Sequence, residues 1–165
     1  MAIKMLLRRC VPEEHDSEPA LIVFREYYKT HYNVYTSIYD GMKETLEELK
    51  SKGYLLAVIS NKLDYISKDL INYYYPGIFD YIQGDTPTLT RKPDPDMFNH
   101  VLSELNINKE DALYIGDTNV DYEFATNANV DVILVTYGYR TKKEMDEYHY
   151  NVTTVQSPKE LLNLL

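Results

Sequence analysis

The sequence of 165 residues contains one cysteine and no tryptophan. The single cysteine, Cys10, excludes an internal disulfide framework and a cysteine-rich metal site, and this usage is typical of a protein in the reducing cytoplasm. No apolar run approaches the roughly 20 residues that a membrane-spanning helix needs. The short apolar N-terminus runs into Arg8 and Arg9 without a small-residue cleavage site, so we expect no secretory signal. These absences predict a cytoplasmic protein with no membrane partner.

Positively charged residues are also fewer than negatively charged ones. The sequence has 17 lysines and arginines against 26 aspartates and glutamates, which gives a formal net charge of −9. A nucleic-acid groove needs a basic surface to neutralise phosphates, so we expect no nucleic-acid partner. The chain has no glycine-rich nucleotide loop, and its 4 histidines are scattered without metal-ligand spacing. A few local cations remain available to bind a small anion.

Short apolar runs alternate with amphipathic segments along most of the chain. This alternation predicts an α/β fold with a parallel sheet, and 165 residues are enough to bury a sizeable core. The predicted strands lie at about 54–60, 78–82, 112–116, 131–136 and 152–154. Helices are predicted over about 20–32 and 40–52 and from starts near Lys62, Asp94, Thr118, Thr141 and Ser157.

The most informative segment is an apolar run that ends at Gly116 and is followed by two aspartates, Asp117 and Asp121. Thr118 and Asp121 have the spacing of a helix capping box. A strand that ends here places Asp117 at the carboxyl end of the sheet, where α/β proteins bind ligands and where a carboxylate can face a metal ion. The alternative is an ordinary glycine-aspartate turn before a capped helix.

Two further loops carry polar groups of the kind that bind phosphate. The strongest predicted strand ends on Ser60, Asn61 and Lys62, which supply a hydroxyl, an amide and a cation. Lys92 stands in a polar loop just ahead of a predicted helix. Taken alone, local sequence favours simpler roles, an N-cap for Ser60 and a solvated lysine for Lys92. Three such loops at strand ends are more specific than any one of them.

In this order, Ser60, Lys92 and the segment 116–121 resemble motifs two, three and four of the haloacid dehalogenase (HAD) superfamily. Within that superfamily the chain most resembles phosphoglycolate phosphatases. The segments that carry this closer likeness are 58–62, 91–95 and 135–140.

The resemblance covers nearly the whole chain and implies its domain organisation. Residues 1–36 resemble the latter part of the family's helical cap, and residues 37–165 resemble the family's core from its second strand onward. The implied fold is a HAD-like, Rossmann-like α/β core of three layers around a parallel sheet, with a remnant of a helical cap at the N-terminus.

The resemblance also implies a chemistry, that of a Mg²⁺-dependent phosphomonoester hydrolase acting on a small phosphorylated metabolite. Ser60 would hydrogen-bond the phosphoryl oxygens, and Lys92 would neutralise negative charge on the nucleophile and the phosphate. Asp117 would bind Mg²⁺, and Asp121 would support it as a second metal-site residue. Two neighbours of Ser60 would help to orient the substrate, namely Asn61 and Lys62.

One part of the family's pattern is missing. The first motif, a strand ending in Asp-x-Asp-Gly-Thr, supplies the nucleophile and the general acid and base in the family. Neither Asp40 nor Asp94 stands at the end of an apolar strand, so neither replaces it. We therefore predict a truncated phosphatase core that is inactive as an isolated chain.

The missing strand would lie in the middle of the sheet, between the strands that end at Ser60 and Gly116. Each of these strands would lose a hydrogen-bonding neighbour, and unpaired strand edges favour association. We expect the gap to be filled, closed by rearrangement of the sheet, or covered by a partner, which includes a second copy of this chain. The segment 2–7 is the only nearby candidate for a replacement strand, although its context resembles a cap helix.

Two other functions remain open. The chain is alternatively a non-catalytic remnant that binds phosphate or a partner chain without turnover, and the missing motif favours this alternative. A phospho-acceptor signalling domain shares the layered fold and a lysine loop. It ranks lower, because no strand near the N-terminus ends in a convincing acceptor aspartate beside an acidic pair.

Overall fold

The computed structural model describes Leu7 and residues 10–12, 15–147 and 151–165. The chain divides into two compact units, residues 1–37 and 38–165. The candidate replacement strand at 2–7 falls, except for Leu7, outside the described residues. In the part of the chain that is described, no helix is long and apolar enough to cross a membrane.

The first unit contains helix α1 (Glu18–His31). Aromatic rings four residues apart stack along it, Phe24 on Tyr28 with ring centroids 5.3 Å apart and Tyr27 on His31 with centroids 3.7 Å apart. Residues at this spacing share one face of a helix, which is why the rings meet. The assignment of this unit to a cap domain stays a prediction.

The second unit alternates strands and helices, as the sequence pattern predicted. Its helices are α2 (Met42–Ser51), α3 (Asp64–Tyr74), α4 (Asp96–Leu105), α5 (Asn119–Ala128) and α6 (Lys142–Asp146). Its strands are β1 (Ala57–Leu63), β2 (Tyr81–Asp85), β3 (Leu113–Gly116), β4 (Asp131–Val135) and β5 (Thr153–Val155). Short 3₁₀ helices cover Lys109–Asp111 and Pro158–Asn163.

The strands form two separate parallel sheets. One sheet pairs β1 with β2, and the other has the order β3-β4-β5. Each crossover between parallel neighbours passes through a helix or a long loop, which is the connection that parallel strands require. Within the described residues, neither β1 nor β3 has a strand paired to its second edge.

A shared apolar core joins the two sheets. Met97 and Phe98 of α4 pack with Tyr114 of β3 and Phe124 of α5, and Ile59 of β1 packs against the same cluster. A second cluster lies around Ile133, Val135, Val155 and Leu161. The first cluster brings the carboxyl ends of β1 and β3 toward one place, where the predicted site residues lie.

Several predicted boundaries differ from the structure by a few residues. β1 runs to Leu63 instead of ending at Ser60, so Ser60 lies inside a strand and does not cap a helix. The N-cap of α4 is Pro95 and not Asp94. The segment after Ser157 forms a 3₁₀ helix without a side-chain hydrogen bond at its cap. The capping box that the sequence predicts at Thr118 is present. The structure shows a second capping box at Thr141, where the sequence predicted only a helix start.

Candidate active site

The strand β1 departs from regular pairing near its carboxyl end. Ile59 lies opposite Gln83 in β2. The next paired residue is Leu63, opposite Asp85, so β1 uses more residues than β2 over this stretch. Between these pairs β1 has three residues, 60–62, where β2 has one, Gly84, and we call the segment 60–62 the β1 bulge. Bulges redirect side chains and are frequent next to active sites.

Ser60 begins the β1 bulge and is half-buried. Its Oγ accepts a hydrogen bond from the backbone N–H of Lys62 at 3.1 Å, while the backbone carbonyl of Lys62 accepts one from Ser67 Oγ at 3.3 Å. In the described part of the chain, nothing accepts the hydroxyl hydrogen of Ser60. This hydroxyl can therefore donate to an anion.

The Asn61 side chain holds the backbone of Lys92. Its Nδ2 donates to the carbonyl oxygen of Lys92 at 3.1 Å, and its Oδ1 accepts from the N–H of Lys92 at 3.0 Å. Two opposed hydrogen bonds to one residue fix both the position and the orientation of the segment 91–93, which we call the lysine loop. Both polar atoms of Asn61 are used in this way, and its predicted role in orienting a substrate stays a prediction.

The partly buried ammonium group of Lys92 lies among aromatic rings and one carboxylate. Its Nζ donates to Asp121 Oδ1 at 2.7 Å and to the Tyr114 hydroxyl at 2.9 Å. It also lies 5.6 Å from the ring centroid of Tyr114 and 5.7 Å from that of Phe124. Because an ammonium group has three N–H donors, one remains for a ligand.

Asp121 is the most heavily hydrogen-bonded carboxylate of the site, and its side chain is only 6% exposed. Oδ1 accepts from Lys92 and from the Tyr114 hydroxyl. Oδ2 accepts from the backbone N–H of Asp117 and from both the N–H and the hydroxyl of Thr118. Both oxygens are therefore in use, and they join the lysine loop to the turn after β3.

Burial alone would raise the pKa of Asp121. The charge of Lys92 and the hydrogen bonds from Lys92 and Thr118 more than offset this, and they hold the pKa below its ordinary value of 3.8. Burial, and then the charge of Asp121, raise the pKa of the Tyr114 hydroxyl well above its usual range. The carboxylate is therefore ionised and the phenol is neutral at physiological pH.

Asp117 follows β3 directly and is half-buried. Two glycines make room at this turn, because a Cβ at Gly116 would collide with the Asp121 side chain and one at Gly138 with the Asp117 side chain. Asp117 Oδ2 accepts from the N–H of Tyr139 at 2.6 Å. Its Oδ1 has no hydrogen-bond partner among the residues described, so one carboxylate oxygen is open to a cation.

This geometry agrees with what comparison with known proteins shows. The family model of haloacid dehalogenase-like hydrolases matches residues 1–135. The chain belongs to this family. The prediction of the HAD family and of its α/β fold is thus confirmed.

Within this family, the chain is similar to proteins named phosphoglycolate phosphatases. The chain is 33% identical over 165 residues to a phosphoglycolate phosphatase of Aquifex aeolicus, covering 99% of this chain and 75% of that protein. It is 29% identical over 137 residues to a phosphoglycolate phosphatase of Colwellia psychrerythraea, covering 82% of this chain and 61% of that one.

A solved structure agrees in fold. A crystal structure from Lactobacillus delbrueckii, provisionally assigned as a phosphoglycolate phosphatase, has a TM-score of 0.85 and 30% identity, covering 92% of this chain and 64% of that one. The chain is thus similar to phosphoglycolate phosphatases of the HAD family, and it spans between three fifths and three quarters of these three proteins.

Some residues of this HAD-family site could not be found from the sequence alone. Tyr114 was visible only as part of an apolar strand, yet its hydroxyl joins Lys92 to Asp121. Arg91 binds the buried carboxylate of Asp85 through both Nε, at 2.5 Å, and Nη2, and so anchors the lysine loop to the end of β2. The arginine beside the lysine was the only sequence signal for this anchor.

Asn127 of α5 also holds the lysine loop, since its Nδ2 donates to the carbonyl oxygen of Pro93 at 2.9 Å. Four of the six predicted site residues therefore lie on one hydrogen-bonded network, while Ser60 and Lys62 are hydrogen-bonded to each other in the β1 bulge. Asn61 reaches Lys92, Lys92 reaches Asp121, and Asp121 reaches the backbone of Asp117. Within the described ranges, no cluster of three or more histidine, cysteine, aspartate or glutamate side chains is arranged to hold a metal.

Proposed function

We propose that residues 38–165 form the phosphate-binding core of a Mg²⁺-dependent phosphomonoester hydrolase that acts on a small phosphorylated metabolite. The phosphoglycolate phosphatases among its relatives suggest 2-phosphoglycolate as the first candidate. The main support is the network described above. Lys92, which has a spare N–H donor, is joined through Asp121 to the backbone of Asp117, and the side chain of Asp117 has an unused oxygen.

Within this proposal the residues have distinct tasks. The Ser60 hydroxyl and the remaining N–H of Lys92 would donate to phosphoryl oxygens, where a charge-assisted hydrogen bond is stronger than a neutral one. Lys62 would add positive charge at the β1 bulge. Asn61 would act by holding Lys92 in place, since its amide hydrogen-bonds the lysine backbone on both sides.

The residues after β3 fit a magnesium ion in part. Mg²⁺ binds oxygen ligands and commonly uses one or two carboxylates together with water and phosphate oxygens. Asp117 would supply a carboxylate oxygen. Asp121 would support it indirectly, through its hydrogen bonds to the backbone of Asp117 and Thr118, because both of its oxygens already accept hydrogen bonds. A bound ion would offset negative charge on the phosphoryl group.

We further propose that the chain by itself does not hydrolyse the ester. The sequence contains no Asp-x-Asp-Gly-Thr segment, so the described site has no aspartate in the nucleophile's place. This absence favours the second candidate function, a core that binds phosphate or a partner chain without turnover.

Two hydrolysis assays test the inactivity. Purified chain with Mg²⁺ is given 2-phosphoglycolate or p-nitrophenyl phosphate, beside an Asp117→Asn variant. We expect no turnover above that of the variant. Turnover that the variant abolishes would contradict the inactivity and would reveal a nucleophile outside the first motif.

Calorimetric titration with inorganic phosphate tests the binding site separately. We expect Mg²⁺ to strengthen binding and Lys92→Met to weaken it by about tenfold or more, as expected for loss of a charged donor. The matched control is Lys43→Met in α2, whose side chain is 48% exposed and should leave binding unchanged. Absence of binding by the natural chain, or equal losses in both variants, would contradict the proposed site.

A further inference from the structure

The segment that follows β4, residues 137–140, lies against the side chain of Asp117, and we call it the 137–140 loop. The strands β3 and β4 are parallel, and Gly116 at the end of β3 lies opposite Leu134 near the end of β4. The residues that follow the two strands therefore leave the sheet at the same edge. This register brings the loop to the carboxylate that we propose as the cation ligand.

Contacts outside the site hold the 137–140 loop at both ends. Before the loop, the N–H and the hydroxyl of Thr136 both donate to the carbonyl oxygen of Val155, at 2.9 Å and 3.2 Å. The side chain of Tyr137 packs against the second apolar cluster. At the other end, Arg140 Nη1 donates to Glu144 Oε1 at 3.0 Å, and Glu144 also forms the capping box of α6. The position of the loop is therefore set by the fold and not by a ligand.

Two groups of the loop contact one oxygen of Asp117, Oδ2. The backbone N–H of Tyr139 donates to Oδ2 at 2.6 Å. A Cβ built on Gly138 would lie 2.4 Å from Oδ2 and 2.4 Å from the Cβ of Asp117, so the glycine backbone lies against this carboxylate with no space for a side chain. Oδ1 has no hydrogen-bond partner in the described part of the chain. The two oxygens of Asp117 are thus unequal, because the loop covers Oδ2 and leaves Oδ1 open.

A carboxylate that offers one oxygen suits Mg²⁺ better than Ca²⁺. Mg²⁺ takes an octahedral set of ligands, retains several water molecules and needs only one or two carboxylates, whereas Ca²⁺ takes about six to eight ligands and often uses both oxygens of a carboxylate. Coordination of an ion by both oxygens of Asp117 requires loss of the Tyr139 hydrogen bond. Asp121 supplies no replacement, since both of its oxygens already accept hydrogen bonds.

We propose that Gly138 and the backbone N–H of Tyr139 are positioning groups that restrict Asp117 to coordination through one oxygen, so that the site selects Mg²⁺ over Ca²⁺. This inference rests on the proposed function, because it concerns the cation of the same site. It requires glycine at position 138, where any side chain meets the carboxylate. It also requires an N–H at position 139, since that donor keeps Oδ2 occupied.

Calorimetric titration with inorganic phosphate, without divalent ions and with equal concentrations of Mg²⁺ or Ca²⁺, measures the selectivity. For the natural chain, we expect Mg²⁺ to strengthen phosphate binding at least about fivefold more than Ca²⁺ does. Tyr139→Pro removes the N–H and frees Oδ2, so Ca²⁺ should then strengthen binding about as much as Mg²⁺. Tyr139→Ala keeps the N–H and should keep the preference for Mg²⁺.

Gly138→Ala tests the same contact without a proline. Its methyl group displaces the Asp117 carboxylate, so the strengthening by Mg²⁺ should fall by about tenfold, as is typical when a group that orients a metal ligand is lost. Phosphate affinity without divalent ions should be unchanged. Gly77→Ala is the matched control, because it strains a backbone position with φ of 73° but brings no atom within 4 Å of the added Cβ. It should leave the effect of Mg²⁺ unchanged.

The outcomes separate this inference from the proposed function. Equal strengthening by the two ions in the natural chain, or an undiminished effect of Mg²⁺ in Gly138→Ala, would overturn the inference and leave the phosphate site standing. An equal loss of phosphate affinity in Gly138→Ala with and without ions would also overturn it, since Gly138 would then have a purely structural role. If neither ion strengthens phosphate binding by the natural chain, the proposed cation site is wrong and the inference is wrong with it.

Discussion

The inner and outer parts of the site use their polar groups in opposite ways. In the inner part, Tyr114 and Asp121 are buried and Lys92 is partly buried, and the three side chains are hydrogen-bonded to one another. In the outer part, Asp117 keeps an unused oxygen and Ser60 an unused hydroxyl hydrogen, as judged from the described residues. The comparison indicates that the inner part maintains the shape of the site, and we propose that the outer part binds the ligand.

Removing the charge of Asp121 should have the largest effect on folding. Asp121→Asn leaves the buried ammonium of Lys92 without its carboxylate and should lower the free energy of unfolding by about 3–5 kcal/mol. Urea denaturation followed by circular dichroism measures this change. Asp146→Asn is the control, since its pair with Lys142 is exposed at both ends. Equal losses in the two variants would show that the inner part does not carry the stability.

Removing the hydrogen bonds between Asn61 and the lysine loop should have the next largest effect on the free energy of unfolding. Asn61→Ala removes two hydrogen bonds and leaves the partly buried N–H and carbonyl of Lys92 unpaired, which should cost about 1–3 kcal/mol. Asn127→Ala removes only one exposed hydrogen bond from the same loop and should cost about 0.5–1.5 kcal/mol. Thermal unfolding of both variants measures the two losses. A larger loss in Asn127→Ala than in Asn61→Ala would contradict this prediction.

Acid should weaken the inner part of the site. The pKa of Asp121 is lowered by folding, so its stabilising effect is full above 3.8 and is lost as the pH falls through the lower folded-state pKa. The free energy of unfolding should therefore fall steeply below about pH 4. The slope should be smaller in Asp121→Asn, measured by urea denaturation at several pH values. If the free energy of unfolding fell equally with pH in both proteins, other carboxylates would be responsible for the loss of stability in acid.

Removing the Tyr114 hydroxyl should have a smaller effect. Tyr114→Phe keeps the ring that packs against Phe98 and Phe124 and leaves the direct Lys92–Asp121 pair intact. The loss of one buried hydrogen-bonding group should cost about 1 kcal/mol. Tyr139→Phe, at a residue that is 79% exposed, should change the free energy of unfolding very little. Calorimetric unfolding compares the two, and equal values would argue against a role for the buried hydroxyl.

Substitution in the outer part should change stability least. Asp117→Asn keeps the acceptor for the N–H of Tyr139 and removes only a half-buried charge, so the free energy of unfolding should change by less than about 0.5 kcal/mol. The Mg²⁺ enhancement of phosphate binding should disappear in the same variant. A large loss of stability with unchanged Mg²⁺ dependence would show that Asp117 stabilises the fold and does not bind the ion, which contradicts the role given to the outer part.

Local features of the fold were predictable from the sequence because their signals are local. The capping box at Thr118 depends on two residues three positions apart, and it is present as predicted. The strands of the second unit were found within about three residues, because apolar runs mark them. The resemblance to the family was visible in the three loops at Ser60, Lys92 and Asp117, whose order along the chain can be read without a structure.

Features that depend on distant parts of the chain could not be predicted. The β1 bulge moves Ser60 from a helix cap into a strand, and it arises from pairing with β2 about twenty residues later in the chain. Likewise, the hydrogen bonds of Tyr114 to Lys92 and Asp121 exist only because β3 and α5 bring these residues together. No spacing within one segment reveals such contacts.

The lysine loop is attached at three successive positions. Arg91 is bound to β2, the backbone of Lys92 to Asn61, and the carbonyl of Pro93 to Asn127. A loop that is already immobilised loses little conformational entropy when a ligand arrives. Anion binding here should therefore be rapid and should need no slow ordering step, so its association rate should depend on ionic strength more than on temperature.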